Sequence, residues 1–355
     1  MRTSIIGYPR IGASRELKFA SESYFKGKLT IDELIRTGAN LRAAHWRIQR
    51  DNGITFIPSN DFSFYDGVLD TACLFNIVPE RYRALGLGEL ETYFAMARGY
   101  QGEQGDVKAL SMRKWFNTNY HYMVPEIDDT TTIRLAGTKP FDEFAEAKKL
   151  GITTKPVLIG AFTLLKLAKY SGVRQAADFV AETAKAYAAA LAKLGELGAE
   201  WIQIDEPILV TDLTEADVAL FAKLYSAILA EKGSASILIQ TYFGDVRNVY
   251  PELQALPFDG IGIDFVEGKQ SLEQIRRFRF SDKKTLFAGV LNGKNVWRNR
   301  YANTVALVQE LRSHARQIVL SSSCSLLHVP YSVKGEAKLP EDNVRHLAFA
   351  EEKLR

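Results

Sequence analysis

The chain has 355 residues, with 45 Lys and Arg against 42 Asp and Glu, a net charge of +3. It is 46% hydrophobic and 25% charged, which suits a folded chain with a sizeable core and excludes disordered, collagenous and disulfide-scaffold classes. The small positive excess excludes a nucleic-acid-binding surface over the whole molecule and leaves room for a local basic pocket.

Cys73 and Cys324 are the two cysteines. Two thiols so far apart cannot form a four-thiolate zinc site, and they fit a reducing compartment. The opening Met1–Arg10 has no long apolar run, so no secretory signal is expected. The longest near-apolar stretch, Val157–Leu165, is too short to span a bilayer and is closed by Lys166. The expected location is cytoplasmic, with no membrane and no nucleic acid as partner.

In chain order, strand-like runs fall at Ser4–Gly7, Thr55–Pro58, Ala109–Met112, Val157–Ala161, Trp201–Asp205, Ile237–Thr241, Ile261–Phe265, Leu286–Leu291 and Ile318–Ser321. Most are continuously apolar and rich in Ile, Val and Leu, as strands buried on both faces of a parallel sheet must be. Helical spacing lies between them, at Ile31–Asp51, Arg174–Leu197, Thr214–Glu231, Leu272–Phe278, Tyr301–His314 and Glu341–Leu354. Gly198 follows the clearest of these as a stop.

Alternation of strand and helix over this length implies βαβ units. No Gly-rich phosphate fingerprint opens the first helix, so a dinucleotide-binding sheet loses ground. The expected fold is α/β, a single (β/α)8 barrel spanning residues 1–355, with extra N-terminal and loop segments. Nine strand candidates compete for eight places, so one is misread or lies outside. The segments Gly99–Val107 and Thr118–Pro140 read as long irregular loops, which in compact domains are often functional.

A barrel of this kind works at the C-terminal ends of its strands. After the first strand, Gly7 and Pro9 make a turn, Ser14 offers a helix cap, and Arg15 and Lys18 fall three apart on one helical face. Two cations beside a positive helix start suit a ligand with several carboxylates; the bland reading is a solvated helix start. Met112–Tyr122 is dense in aromatic and hydrogen-bonding side chains, a site for a flat ring with a charged tail or a loop packed by its own rings. Trp201–Pro207 is an apolar strand ending in Asp205 and Glu206, either of which suits acid–base work or a ligand amine; the dull alternative is a strand-end cap or salt bridge. Gln240, Tyr242 and Asp264 end later strands. Cys324 and His328 invite a nucleophile pair, yet no third orienting group is visible and a buried structural Cys is the commoner case. His45, His314 and His346 sit in helical patterns as surface or packing residues.

Six motifs run in a fixed order: Ile5–Gly12, Arg15-Glu16-Leu17-Lys18, Phe56–Asn60, Lys114–Tyr122, Gln203–Pro207 and Ser323–His328. Together they resemble the N-terminal half of cobalamin-independent methionine synthase, over nearly the whole chain. The resemblance implies a two-barrel enzyme that moves a methyl group from 5-methyltetrahydropteroyltriglutamate to homocysteine. It implies a folate-polyglutamate site at Arg15, Glu16, Leu17, Lys18 and Lys114, and no catalytic residue in this chain. Zinc belongs to the family's C-terminal barrel, which this chain is not expected to include. There it binds the homocysteine sulfur, and a metal-bound thiol loses its proton near neutral pH.

The family's two barrels resemble a duplication. By strand order the zinc-ligand positions correspond here to Gln240, Tyr242, Asp264 and Cys324. Two of the four are donors in type, and a zinc site needs three or four, so no metal is expected. Two other readings stay open. One is a glycoside hydrolase using Asp205 or Glu206 with Asp264, whose carboxylates would have to lie roughly 5 to 9.5 Å apart. The other is a non-catalytic barrel that docks a partner barrel.

Overall fold

The computed structural model describes residues 1–336 and 338–355. Eight short parallel strands form the barrel: β1 (Arg2–Ser4), β2 (Ile57–Ser59), β3 (Thr154–Ile159), β4 (Trp201–Asp205), β5 (Ser236–Gln240), β6 (Gly260–Asp264), β7 (Thr285–Leu291) and β8 (Gln317–Ser322). The strands are ordered β1-β8-β7-β6-β5-β4-β3-β2, and a parallel bridge between Ser4 and Phe56 closes the ring. Eight of the nine strand candidates overlap these, with ends displaced by up to three residues. The ninth, Ala109–Met112, lies outside the barrel. Leu110 packs into a satellite apolar cluster with Tyr82, Phe94 and Met123, and Met112–Lys114 pairs antiparallel with His121–Met123. Apolar content alone could not separate a satellite cluster from the main core.

Seven outer helices cover the sheet: α1 (Ile31–Asp51), α2 (Lys139–Lys149), α3 (Val180–Glu196), α4 (Glu215–Ala230), α5 (Tyr250–Ala255), α6 (Ser271–Phe278) and α7 (Tyr301–Leu311). Thr30 starts α1 with a capping box, its hydroxyl accepting from the Glu33 amide while Glu33 takes the Thr30 amide, a device that satisfies two orphan donors at once. Trp46 then turns inward and donates its indole N–H to the Pro58 carbonyl at 3.0 Å, tying α1 to β2. The helical pattern at 174–197 resolves into a 3-10 turn, Ala176–Phe179, followed by α3.

The pattern at Glu341–Leu354 is not one helix. A single turn, Glu341–Val344, is followed by an extended stretch whose Ala348 amide donates to Val296, and the last turn is 3-10 at Glu352–Leu354. Leu347 to Ala350 are all buried, and the antiparallel bridge between Leu347 and Trp297 holds the stretch in place of a helix. The loops expected at Gly99–Val107 and Thr118–Pro140 also carry structure. Tyr100–Gly102 pairs with Gly105–Val107, and Glu126–Asp128 pairs with Lys169–Ser171. Among the described residues no helix is long and apolar enough to cross a membrane.

The barrel interior changes character along its axis. At the N-terminal end Leu238, Phe287 and Val319 pack with Phe56 and Trp201. A Cβ on Gly260 would lie 2.9 Å from Trp201, so only glycine admits these rings. One layer higher the interior is polar. Lys155 on β3, 2% exposed, donates to the Ile5 carbonyl at 2.9 Å and to the Gln203 side chain.

Candidate functional site

Above that layer, at the C-terminal ends of the strands, lies a cavity of about 130 Å³ whose lining includes Arg10, Asp61, Tyr120, His121, Asp205 and His328. A hydrogen-bonded chain runs into it from below. Gln203 donates to Asp205 at 2.7 Å and Tyr242 donates its hydroxyl to the other Asp205 oxygen at 3.1 Å. Burial pushes the Asp205 carboxyl up to about 7, against the Gln203 bond and the Lys155 charge. Burial brings the Lys155 ammonium down to about 8. Asp61, which accepts the Tyr8 amide at 2.8 Å, is raised by burial to about 6. Burial moves each of these groups toward its neutral form because the interior disfavours isolated charge.

The hairpin formed by Met112–Lys114 and His121–Met123 reaches over this mouth. Phe116 lies 5.9 Å from Phe243, and Tyr120 meets His328 edge-on at 5.4 Å. Phe116 and Phe243 both sit at positive φ, 49° and 76°, a conformation that costs bulky residues energy and is held here by the surrounding packing. At the tip, Asn117 donates to Glu267 at 2.8 Å and accepts from Lys294 at 2.9 Å. Lys294 also pairs with Glu267 at 2.9 Å. The loops after β2, β6 and β7 are thereby clasped together.

The residues singled out for a polyglutamate do not line the cavity. Arg15 is exposed and caps the helix Glu16–Phe25 in a left-handed conformation, φ 61°. Ser14 does not cap it with its side chain; its amide instead donates to the Glu16 carboxylate at 3.0 Å. Leu17 is buried against Leu41 and Phe62, so it anchors the helix. Lys18 is exposed beside Glu22, 3.8 Å away. Lys114 is exposed on the mouth hairpin, opposite His121 in register. Among the described residues no carboxylate lies within 4.0 Å of the Arg15 or Lys114 side chain. Arg10 was not singled out, although it stands in the same motif. It lines the cavity and spends one guanidinium donor on the Ser63 carbonyl at 2.7 Å. Its place after Pro9 at a strand end was the available signal.

The carboxylate-pair reading fails on geometry. Glu206 turns outward between the barrel and α4. Its oxygens accept the Phe162 and Thr163 amides at 2.8 Å, the Thr163 hydroxyl at 2.5 Å and the Tyr225 hydroxyl. Burial raises it to about 7 against those donors. Asp264 accepts the Phe243, Val266 and Glu267 amides at 3.0, 2.7 and 2.9 Å, so it fixes its own turn. Asp205 alone of the three lines the cavity.

The Cys324–His328 pair is no better placed for nucleophilic chemistry. Cys324 is 1% exposed. Burial, with Asp264 and Glu267 nearby, pushes its thiol far above the usual range, away from the thiolate a nucleophile needs. Burial lowers His328 to about 4. His45 is a packing residue, as expected, set between Tyr8 and Tyr331.

Nor do the four positions compared with zinc ligands fit a metal. Gln240 donates its side-chain amide to the Thr241 carbonyl, Tyr242 is committed to Asp205, Asp264 to backbone amides, and Cys324 keeps its proton. Among the described residues no group of three or more His, Cys, Asp or Glu is placed to hold a metal ion.

Residues 2–316 match the family described as cobalamin-independent synthase, N-terminal domain. This chain belongs to that family. It is 55% identical over 354 residues to the 5-methyltetrahydropteroyltriglutamate–homocysteine methyltransferase of Streptococcus thermophilus, covering 100% of this chain and 47% of that protein. It is 53% identical over 355 residues to the protein of the same name from Campylobacter jejuni subsp. doylei, with the same coverage. The chain therefore spans about half the length of these curated relatives. A B12-independent methionine synthase structure from Shewanella sp. W3-18-1 shares the fold, with TM-score 0.63 at 14% identity over 92% of this chain and 88% of that one. Membership of the cobalamin-independent synthase family explains why six short motifs keep their order on one barrel.

Proposed function

We propose that this chain works as one N-terminal barrel, the polyglutamate-gripping and scaffolding half of a cytoplasmic methyltransferase. That enzyme moves the methyl group of 5-methyltetrahydropteroyltriglutamate to homocysteine. The observation that carries this reading is 55% identity, along the entire chain, to an enzyme named for that reaction. The mouth cavity supports the division of labour. At about 130 Å³ it is well below the ~300–1,000 Å³ of sites that enclose a drug-sized ligand. The pterin therefore lies between this barrel and a partner barrel, and this one contributes its rim.

Arg15, Lys18 and Lys114 hold the γ-linked carboxylates as charge-assisted donors. Glu16, folded back on the Ser14 amide, keeps the turn that presents Arg15. Leu17 pins the helix against Leu41. Zinc, when bound in the partner barrel, supplies a deprotonated homocysteine thiol.

Calorimetric titration with the triglutamate and monoglutamate forms tests the assignment. Arg15→Ala and Lys114→Ala should each weaken the triglutamate by about tenfold, roughly 1.4 kcal/mol, and leave the monoglutamate nearly unchanged. Equal losses for both forms would remove these residues from the site. Mixing this chain with the separately expressed second barrel should restore methyl transfer.

A further inference from the structure

Arg10 follows β1, Asp61 follows β2 and Asp205 ends β4, and all three line the mouth cavity. They carry both signs of charge. Among the described residues none of them has an ion-pair partner within 4.0 Å. Each is tied to its own surroundings instead. Arg10 is held by the Ser63 carbonyl at 2.7 Å, which leaves its Nε and Nη2 donors without a hydrogen bond. Asp61 is held by the Tyr8 amide at 2.8 Å. Asp205 is held by Gln203 and Tyr242 at 2.7 and 3.1 Å. Lys155 lies beneath both carboxylates, but its ammonium is spent on the Ile5 carbonyl and the Gln203 side chain.

Opposite charges in one small, partly desolvated space attract strongly and close on each other when free to do so. Here the tethers hold them apart. A cation and two carboxylates fixed across a cavity form a preorganised receptor for a ligand bearing the complementary pair of charges. Burial raises both carboxyls, as it does for charge that lacks a full partner, and an ammonium beside them would favour their ionised form. The remaining wall is aromatic, from Trp115, Tyr120 and Tyr122 of the hairpin, and suits an apolar side chain. A volume of about 130 Å³ exceeds the need of a single water.

We propose that the mouth cavity binds a small α-amino acid with a short apolar side chain. Its carboxylate meets the Arg10 guanidinium, its ammonium faces Asp61 and Asp205, and its side chain lies against Trp115 and Tyr120. Every group named belongs to this chain. None is among the exposed cations, Arg15, Lys18 and Lys114, that are assigned to the polyglutamate, so the two sites stand or fall separately.

Calorimetric titration of this chain with L-norvaline, pentanoate and n-butylamine tests the site, because the last two each lack one charge of the first. Norvaline should bind saturably and the other two about tenfold more weakly. No saturable heat from norvaline would overturn the proposal, as would pentanoate or n-butylamine binding as tightly as norvaline. Arg10→Gln and Asp61→Asn should each weaken norvaline by about tenfold; a folded variant that binds as tightly as the parent would also overturn it. A second readout needs no substitution. His121 lines the cavity and is exposed at its rim. Its modification by diethyl pyrocarbonate, followed by mass spectrometry, should slow several-fold when norvaline saturates the chain, while the exposed His346 reacts as before. An unchanged rate at His121 would place the ligand elsewhere and overturn the assignment.

Discussion

Asn117 and Glu267, 150 residues apart in sequence, meet side chain to side chain at 2.8 Å across the barrel mouth. Lys294 completes the clasp. Its side chain is 23% exposed and that of Glu267 27%, so the pair is only partly screened by water. Glu267→Ala should free the hairpin tip at a cost of about 1 kcal/mol. Hydrogen exchange at residues 112–123 should quicken several-fold, with the global melting temperature nearly unchanged. Exchange that stays as slow as in the wild type would show that the aromatic contacts alone hold the tip.

Glu206 gathers four donors from two segments, Phe162–Thr163 and α4. Glu206→Ala would leave the Phe162 and Thr163 amides and the Tyr225 hydroxyl buried and unpaired. The expected loss is about 3–5 kcal/mol, read from denaturant unfolding. Glu206→Gln keeps one acceptor oxygen and should lose less. A Gln variant that unfolds as easily as the Ala variant would show that the charge, not the accepted hydrogen bonds, carries the effect.

His45 gives a pH signature. Burial holds its imidazole at about 3, against about 6.5 in the unfolded chain. The unfolded chain therefore binds the extra proton between those values, and stability falls as pH falls through that window. Above pH 6.5 the contribution is fully present. The slope approaches 1.4 kcal/mol per pH unit. His45→Phe fills the space between Tyr8 and Tyr331 without a titrating ring. From pH 7 to 5 the wild type should lose about 2 kcal/mol relative to this variant, measured by unfolding at both values. A constant difference would mean that His45 takes its proton in the folded state.

Cys324 should be inert. In the folded protein Ellman's reagent at pH 8 should leave it unmodified for hours, and unfolding should expose it at once. Rapid modification of the folded chain would restore the nucleophile reading.

The barrel was legible where local chemistry and tertiary demand agreed. β4 occupies Trp201–Asp205, where Trp201, Ile202 and Ile204 mark a strand, and α1 occupies Ile31–Asp51, whose start Thr30 and Glu33 fix by capping. Ala109–Met112 misled because Leu110 has an apolar partner that is not the barrel. Glu341–Leu354 misled because its 3.6-residue spacing competes with backbone pairing to Val296, which no local window contains. At the mouth, the motifs located the right loops, but the partners of Glu206 and Asp264 come from other segments of chain. Only the folded arrangement shows that these carboxylates serve the scaffold. Arg10 follows a turn, where a lone arginine is common and carries no local signal; its value comes from the cavity beside it.

β1 has three residues, and it meets the chain just before β2 through the Ser4–Phe56 bridge and hydrogen bonds of Thr3 with Gly53, Thr55 and Phe56. Ring closure therefore hangs on a short seam, where the neighbouring strand pairs run longer. Thermal breathing should start there, with the cylinder parting like a cask at its thinnest stave. Amides near the N-terminus should exchange long before those of β4 to β7, and an element laid across that joint would act as a hoop.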